Sequence, residues 1–430
     1  MNNCVRVWWV LVFVASCWAC DTGSDFDTPD EAYFIKYYGS SGNQFGVDMI
    51  VEPDGTVVAV GRSELNGAKR IYFLRVDAKG QVLSERILGS TTEEVKDIEP
   101  AGDGNYIVLS LFTNNDGGEN LDVKLIKVSP QGVPLDSGTY GIAYPYNDYA
   151  SSVTPLVSGG YVVAGRAENV TEKANPSSVN PDLGDFFLFR FDAGLNPVEG
   201  SNVWISRGGS GATDGAVKYF ELDNGRGICF GYSRMTGSAN PRGNQLLAYT
   251  ETDALGLGSA FQVFNPSGTV NNSNTTVLSV SRTPAINPGY FITGVSVNSL
   301  GISQLFICKL KGSLTYSDSD VELYNTLSPV GAGQLTGISA TTSTAASQGF
   351  LIACNDLQQL GTRNIWLTKI DFSGKELWSV TFGSDQGDDE VGAVSELPNG
   401  KILVLGTVEL GDNKKKLTLI KLNSKGQLKN

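Results

Sequence analysis

The residues of this chain able to do chemistry are almost all carboxylates, because none of its 430 positions is histidine. Histidine is the side chain whose ordinary pKa suits proton transfer near neutrality, and it is a leading metal ligand. Ser-His-Asp and Cys-His nucleophile systems are therefore excluded, as are conventional zinc and haem sites. A pair of Asp or Glu still suffices for glycoside hydrolysis. Carboxylates recur at like spacing in Glu93 and Glu94, Asp148, Asp214, and Asp388 with Asp389, each just ahead of an apolar run. Such a set could act as an acid–base pair, or as a ring of hard oxygens for Ca²⁺. No Asp-x-Asp-x-Asp-Gly loop accompanies it, and Asp at a loop–strand junction more often accepts backbone N–H groups. The reading adopted is a capping one, with no metal, no cofactor and no catalytic residue.

Two further sets bear on binding. A base recurs in one strand of each repeat, as Arg75, Lys127, Arg190, Lys309, Lys369 and Lys421, with Glu251 at the equivalent place in the fourth. The expectation is an ion pair between neighbouring repeats, made with the acidic loops just named. Tyr144-Pro145-Tyr146-Asn147-Asp148 places exposed aromatics beside an amide and a carboxylate, and Arg207 follows a later strand of the same kind. Tyr144, Tyr146, Asn147, Asp148 and Arg207 are the candidate binding residues, a set suited to stacking on a sugar ring or gripping an extended peptide. Net charge is −13, and loss of residues 1–16 with Arg6 makes it −14. That balance opposes nucleic acid, whose binders use basic patches to release counterions, and it opposes adsorption to anionic lipid. Walker, Gly-x-Gly-x-x-Gly and sialidase-type Asp-box elements are absent.

These side chains are carried by one sentence of sequence written seven times. Its Gly-turn-strand phrase appears as Asp54–Gly61, Asp103–Leu109, Gly159–Gly165, Asn224–Gly231, Pro288–Gly294, Gln348–Cys354 and Pro398–Gly406. Asp-Gly, Asn-Gly and Gly-Gly accept the positive φ of tight turns, so each phrase is a hairpin signal. A second strand follows, as in Tyr72–Asp77, Lys124–Val128, Phe187–Asp192, Trp366–Asp371 and Leu417–Leu422. Its nearly continuous apolar run suits a strand covered on both faces. The 400 residues from 31 to 430 divide into seven units of about 57, slightly above the ~40–50 of four-stranded blades. Each unit supplies strands A, B and C and a D strand. The internal D strands fall near Val82–Leu88, Val133–Tyr140, Ser201–Ser206, Ala260–Phe264, Asp320–Tyr324 and Glu376–Phe382. The seventh is supplied from the other end: Ala32–Ser40 aligns with Glu376–Ser384 and should pair with Leu417–Leu422, burying a sheet edge.

With its Gly-Gly-Tyr strand at Gly159–Tyr161 and its Leu-Ile-Lys-Leu-Asn-Ser-Lys-Gly hairpin at Leu419–Gly426, the chain resembles bacterial seven-bladed β-propeller repeat lipoproteins over nearly its whole mature length. The expected fold is all-β, a seven-bladed propeller of four-stranded blades over 32–430, closed by the N-terminal strand. Tight A–B turns lie at one end of the blades. Long insertions between B and C (Thr113–Asn120, Ala167–Gly184, Arg234–Gly243) and between D and A (Asn265–Thr276) should crowd the other. Cys229, Cys308 and Cys354 fall in strands of different blades and are read as unpaired core thiols.

The N-terminus gives an address. Arg6 precedes a nine-residue apolar run, Val7–Ala15, too short for the ~20 residues that span a bilayer and suited to a signal peptide over 1–16. Val14-Ala15-Ser16-Cys17 resembles a lipobox, making Cys17 the lipidation site; Cys20 is the alternative, and plain cleavage near Ala19 a third. Residues 17–31, rich in Asp21, Asp25, Asp27, Asp30 and Glu31, form an acidic tether. Acidic residues after a lipidated cysteine resemble the signal that sends some lipoproteins to the outer face of a Gram-negative outer membrane. The expected protein is a lipid-anchored, outer-membrane, non-enzymatic binding or scaffold module for protein partners or glycans. It touches the membrane only through its acyl chains. The competing expectation is a carboxylate-based lyase or glycosidase at the channel mouth, with Asp388 and Asp389 as its pair.

Overall fold

A computed structural model describes residues 33–428 apart from 115–119, 142–146, 169–183, 199–202, 205–213, 223–224, 235–243, 254–261, 265–273, 285–287, 313–315, 318–319, 328–333, 343–348, 358–361, 384–386 and 412. Within it, seven antiparallel four-stranded sheets form the blades of a propeller. Their innermost A strands are Asn43–Val51, Glu93–Pro100, Asp148–Pro155, Gly215–Glu221, Asn274–Arg282, Gln334–Thr342 and Glu390–Glu396, for blades 1 to 7. The A–B hairpins turn as their glycines predict, with φ of +84° at Gly55 and +78° at Gly400. Ring closure is also as expected. Phe34–Tyr38 pairs antiparallel with strand C of blade 7, Ile35 opposite Ile420 and Tyr38 opposite Leu417. Tyr38 adds a hydrogen bond of 3.0 Å from its hydroxyl to the Gly80 carbonyl of blade 1.

A blade alone has no core. The seven apolar clusters each lie between two neighbouring blades. Ile107 and Leu125 of blade 2 meet Phe187 and Phe189 of blade 3, and Leu351 and Leu367 of blade 6 meet Val404 and Ile420 of blade 7. Burying one such side chain is worth about 1.5–3 kcal/mol, and only the closed ring lets both faces of every B and C strand collect it. Cys229, Cys308 and Cys354 sit in these clusters as free thiols, and burial pushes all three thiols up.

One irregularity repeats in every blade. Strand A carries a β-bulge at the same register, at Val47, Lys96, Ser151, Val217, Leu278, Gly337 and Gly392. The bulge tips the carbonyl two residues earlier onto strand B, and in five blades the residue beneath it is glycine. A Cβ on Gly165 would stand 1.9 Å from the Tyr149 oxygen, and one on Gly231 2.0 Å from that of Gly215. The glycine that ends the repeated B phrase is thus a packing requirement of the bulge.

Candidate functional site

In six blades the residue following the bulge lines the central cavity: Asp48, Asp97, Ser152, Lys218, Ser279 and Ala393. Strand A has a free inner edge, and in blades 1 to 3 these side chains serve the edge of the next blade. Asp48 accepts the Ile98 N–H at 3.1 Å, Asp97 accepts that of Val153 at 2.7 Å, and Ser152 donates to the Val217 carbonyl at 2.7 Å. Lys218 of blade 4 reaches back across blade 3, with Nζ 2.7 Å from Glu99, 3.4 Å from Asp97 and 3.3 Å from the Val153 carbonyl. Asp48 and Asp97 stand close enough for the Asp97 charge to act on the Asp48 carboxyl.

The electrostatics follow from that crowding. Burial, then the Asp97 charge and the hydrogen bond to it, push the Asp48 carboxyl well above the usual carboxylate range. Burial also raises Glu99, with Lys218 pulling the other way. Burial alone would lower Lys218; the charges of Asp97 and Glu99 outweigh it and hold the ammonium well above its ordinary value. The quartet lines a cavity of about 620 Å³, within the range of ligand sites. Its lining mixes these charges with apolar side chains, among them Met49, Ile98, Leu278, Val280 and Val394.

The carboxylates singled out in the sequence have other places. Glu93, Asp148, Asp214 and Asp389 all lie three residues before the bulge, at most 1% exposed. Asp214 accepts the Arg234 N–H at 3.1 Å and Asp389 that of Glu409 at 2.9 Å, each capping the end of its own strand B. Glu93 accepts from Ser90 N–H and from Lys124 Nζ, at 3.0 and 2.7 Å. Glu94, half-exposed, pairs with Lys96. Asp388 is paired with Arg363 at 2.9 Å.

Asn147 and Asp388 share a second register, four residues before the bulge, with Asn43 and Asn274. Each accepts the N–H at the start of strand C in the preceding blade: Asn43 from Lys415, Asn147 from Leu121, Asn274 from Gln245 and Asp388 from Arg363, at 2.9–3.1 Å. Asn147 also donates to Glu168 at 3.0 Å. These clips join the start of strand A to the start of strand C of the preceding blade, at the end opposite the A–B turns; the long insertions expected there, at 115–119, 169–183, 235–243 and 265–273, lie outside the described residues. Of the candidate binding residues, Asn147 and the fully buried Asp148 are engaged in the fold here; Tyr144, Tyr146 and Arg207, like Cys17 and Cys20, lie outside the described residues.

The expected partners of the strand-C bases need correction. Arg75 pairs with Glu52 at 2.9 Å and Lys127 with Asp103 at 2.6 Å, both within one blade and at its A–B turn. Lys309 pairs with Glu322 of its own strand D. Two contacts do cross between blades, Lys369–Glu396 at 2.8 Å and Lys421 to the Ala78 carbonyl at 2.8 Å. The reason is strand direction. The base lies late in strand C, which ends beside the A–B turn, whereas the acidic D–A loops lie at the opposite end of the blade.

Sequence reasoning passed over Asp48, Asp97, Glu99 and Lys218. The B-strand glycine finds two of them, Asp48 and Lys218, since its partner in strand A is followed by the bulge and then by the cavity-lining residue; blade 2 has Ser110 at that place, so Asp97 and Glu99 carry no such mark.

No family model and no curated protein matches the chain. Among solved structures it is similar to a protein of unknown function from Dyadobacter fermentans, at 11% identity over 90% of this chain and 97% of that one, TM-score 0.49. It is similar to an α-L-arabinanase from Penicillium chrysogenum complexed with arabinobiose, at 15% identity over 90% and 99%, TM-score 0.46. A polysaccharide lyase, Uly1, gives 12% identity over 90% and 91%, TM-score 0.49. At these identities the likeness is one of fold and carries nothing about activity.

Proposed function

We propose that the protein is a non-catalytic binding or scaffold module, anchored by a lipid on Cys17 to the outer membrane, that holds a glycan or a protein partner on the face of its B–C and D–A loops. The observation that carries this reading is where its chemistry-bearing side chains go. The acids ahead of strand A cap backbone N–H groups, the Asx residues clip blade to blade, and the strand-C bases are tied down at the far end. The strands that flank the B–C and D–A connections meet at one end of this framework, and residues in loops at such an end are positioned by the scaffold beneath them. Metabolic labelling with an alkynyl palmitate tests the anchor: wild type and Cys20→Ala should incorporate it and Cys17→Ala should not. Label persisting in the Cys17→Ala, Cys20→Ala double variant would dismiss the anchor. Capture of glycans or envelope proteins by the mature chain tests the binding half, and no retention of either class would dismiss it.

A second reading, a carboxylate-based lyase or glycosidase, is favoured by one observation. Asp48 and Asp97 line one cavity of about 620 Å³ with Lys218 3.4 Å from Asp97, and burial with the Asp97 charge raises the Asp48 carboxyl, the kind of shift a catalytic acid needs. Loss of polysaccharide turnover in Asp48→Asn would establish it; absence of turnover in wild type leaves the binding module.

A further inference from the structure

A second cavity, of about 280 Å³, opens on the loop-rich face where the chain closes its ring. Its walls come from the D–A junction between blades 7 and 1 (Ser40, Gln44), the end of strand B of blade 1 (Ser63, Leu65), and strands C and D of that blade (Arg70, Tyr72, Glu85, Ile87). Tyr72 forms its floor. The residue is 1% exposed, and its hydroxyl has no partner in hydrogen-bond geometry, although Glu85 faces it closely enough that burial and that carboxylate together push the phenol up. A buried hydroxyl in that position is an exception among native polar groups. One structural water does not account for the space, which is roughly twenty times what a single water needs.

The chemistry of the walls narrows the occupant. Gln44 is 2% exposed and locked, its amide donating to the Ser41 carbonyl and accepting from Lys416 Nζ at 2.9 Å. Ser63 is also buried, so the floor presents fixed hydroxyl and amide groups. Arg70 and Glu85 stand on the walls with opposite charge, which disfavours a net anion or a net cation. Leu65 and Ile87, 47% and 46% exposed, supply an apolar rim. Hydroxyls that both donate and accept, joined to a C–H face for apolar contact, describe a sugar ring. We propose that this cavity is a subsite for one neutral sugar residue, its C–H face against Leu65 and Ile87 and one ring hydroxyl bonded to Tyr72. This deepens the binding-module reading and rests on its glycan arm.

The test uses the mature chain with ¹³C-labelled Leu and Ile methyls, titrated with the methyl glycosides of glucose, galactose, mannose, N-acetylglucosamine and arabinose beyond the millimolar range typical of weak single-residue binding. At least one should shift the Leu65 and Ile87 methyls saturably. Tyr72→Phe should weaken that binding about tenfold, and Leu65→Ser, on the exposed rim where folding is not at stake, should weaken it too. The proposal is overturned if no glycoside moves these methyls, or if both variants bind as wild type does. Should the chain retain glycans or proteins while these two methyls stay still, the subsite is wrong and the module stands; retention of nothing removes both.

Discussion

Replacing Lys218 by methionine tests whether the channel quartet holds its three blades, 1, 2 and 4, together. The ammonium lies 2.7 Å from Glu99 and 3.4 Å from Asp97, and the three side chains are 21%, 29% and 10% exposed. At an effective dielectric of about 20 those distances correspond to gross attractions of about 6 and about 5 kcal/mol. Desolvation offsets most of this, so the pair's net worth is small while the cost of orphaning its anions is not. Breaking such a buried group from one side costs about 3–5 kcal/mol. Over the unit Tyr33–Asn430 an unfolding entropy of about 0.8 kcal/mol/K turns that into a melting point lower by about 4–6 °C at pH 8. The loss should shrink on acidification, because the orphaned carboxyls hold protons in the folded state that the unfolded chain releases above about pH 4. Asp97→Asn added to Lys218→Met should recover part of it. Differential scanning calorimetry at pH 8 and pH 5 reads both. A variant as stable as wild type at pH 8, or one whose deficit is the same at both pH values, refutes the reasoning.

Three other outcomes are expected. Folding raises the proton affinity of Asp48, so its contribution to stability falls as pH rises above about 4; Asp48→Asn should melt with wild type near pH 4 and above it at pH 8. Gly165→Ala drives a Cβ to 1.9 Å from the Tyr149 oxygen, a backbone atom that cannot step aside, and should cost about 3 kcal/mol or more by chemical denaturation. Removing the chain through Tyr38 exposes strand C of blade 7 from Leu417 to Lys421, and should yield self-associating material in light scattering that melts well below the intact ring.

The seven blades were legible because a blade is written locally. Asp54-Gly55 and Asn399-Gly400 mark hairpins through the φ their glycines accept, and the apolar runs mark strands because both faces are covered. The closing strand was legible through its likeness to Glu376–Phe382, and it pairs at that place. The acid caps were legible as a type, since a carboxylate at a loop–strand junction finds N–H groups wherever the fold puts them. The channel was not. Asp48, Asp97, Ser152 and Lys218 have no residue type common to all four, and the bulge ahead of each shifts the two-residue alternation by one.

What the sequence by itself determined is the strand, the turn and the number of units, because these follow from steric and hydrophobic preferences a few residues long. Only the tertiary structure decided which charges meet. Arg75 finds Glu52 and not an acidic D–A loop because strand C delivers it to the far end of the blade. Lys218 finds Asp97, 121 residues earlier, because closing the ring sets blades 2 and 4 across one narrow channel. Proximity of that kind belongs to the ring and to no segment of the chain.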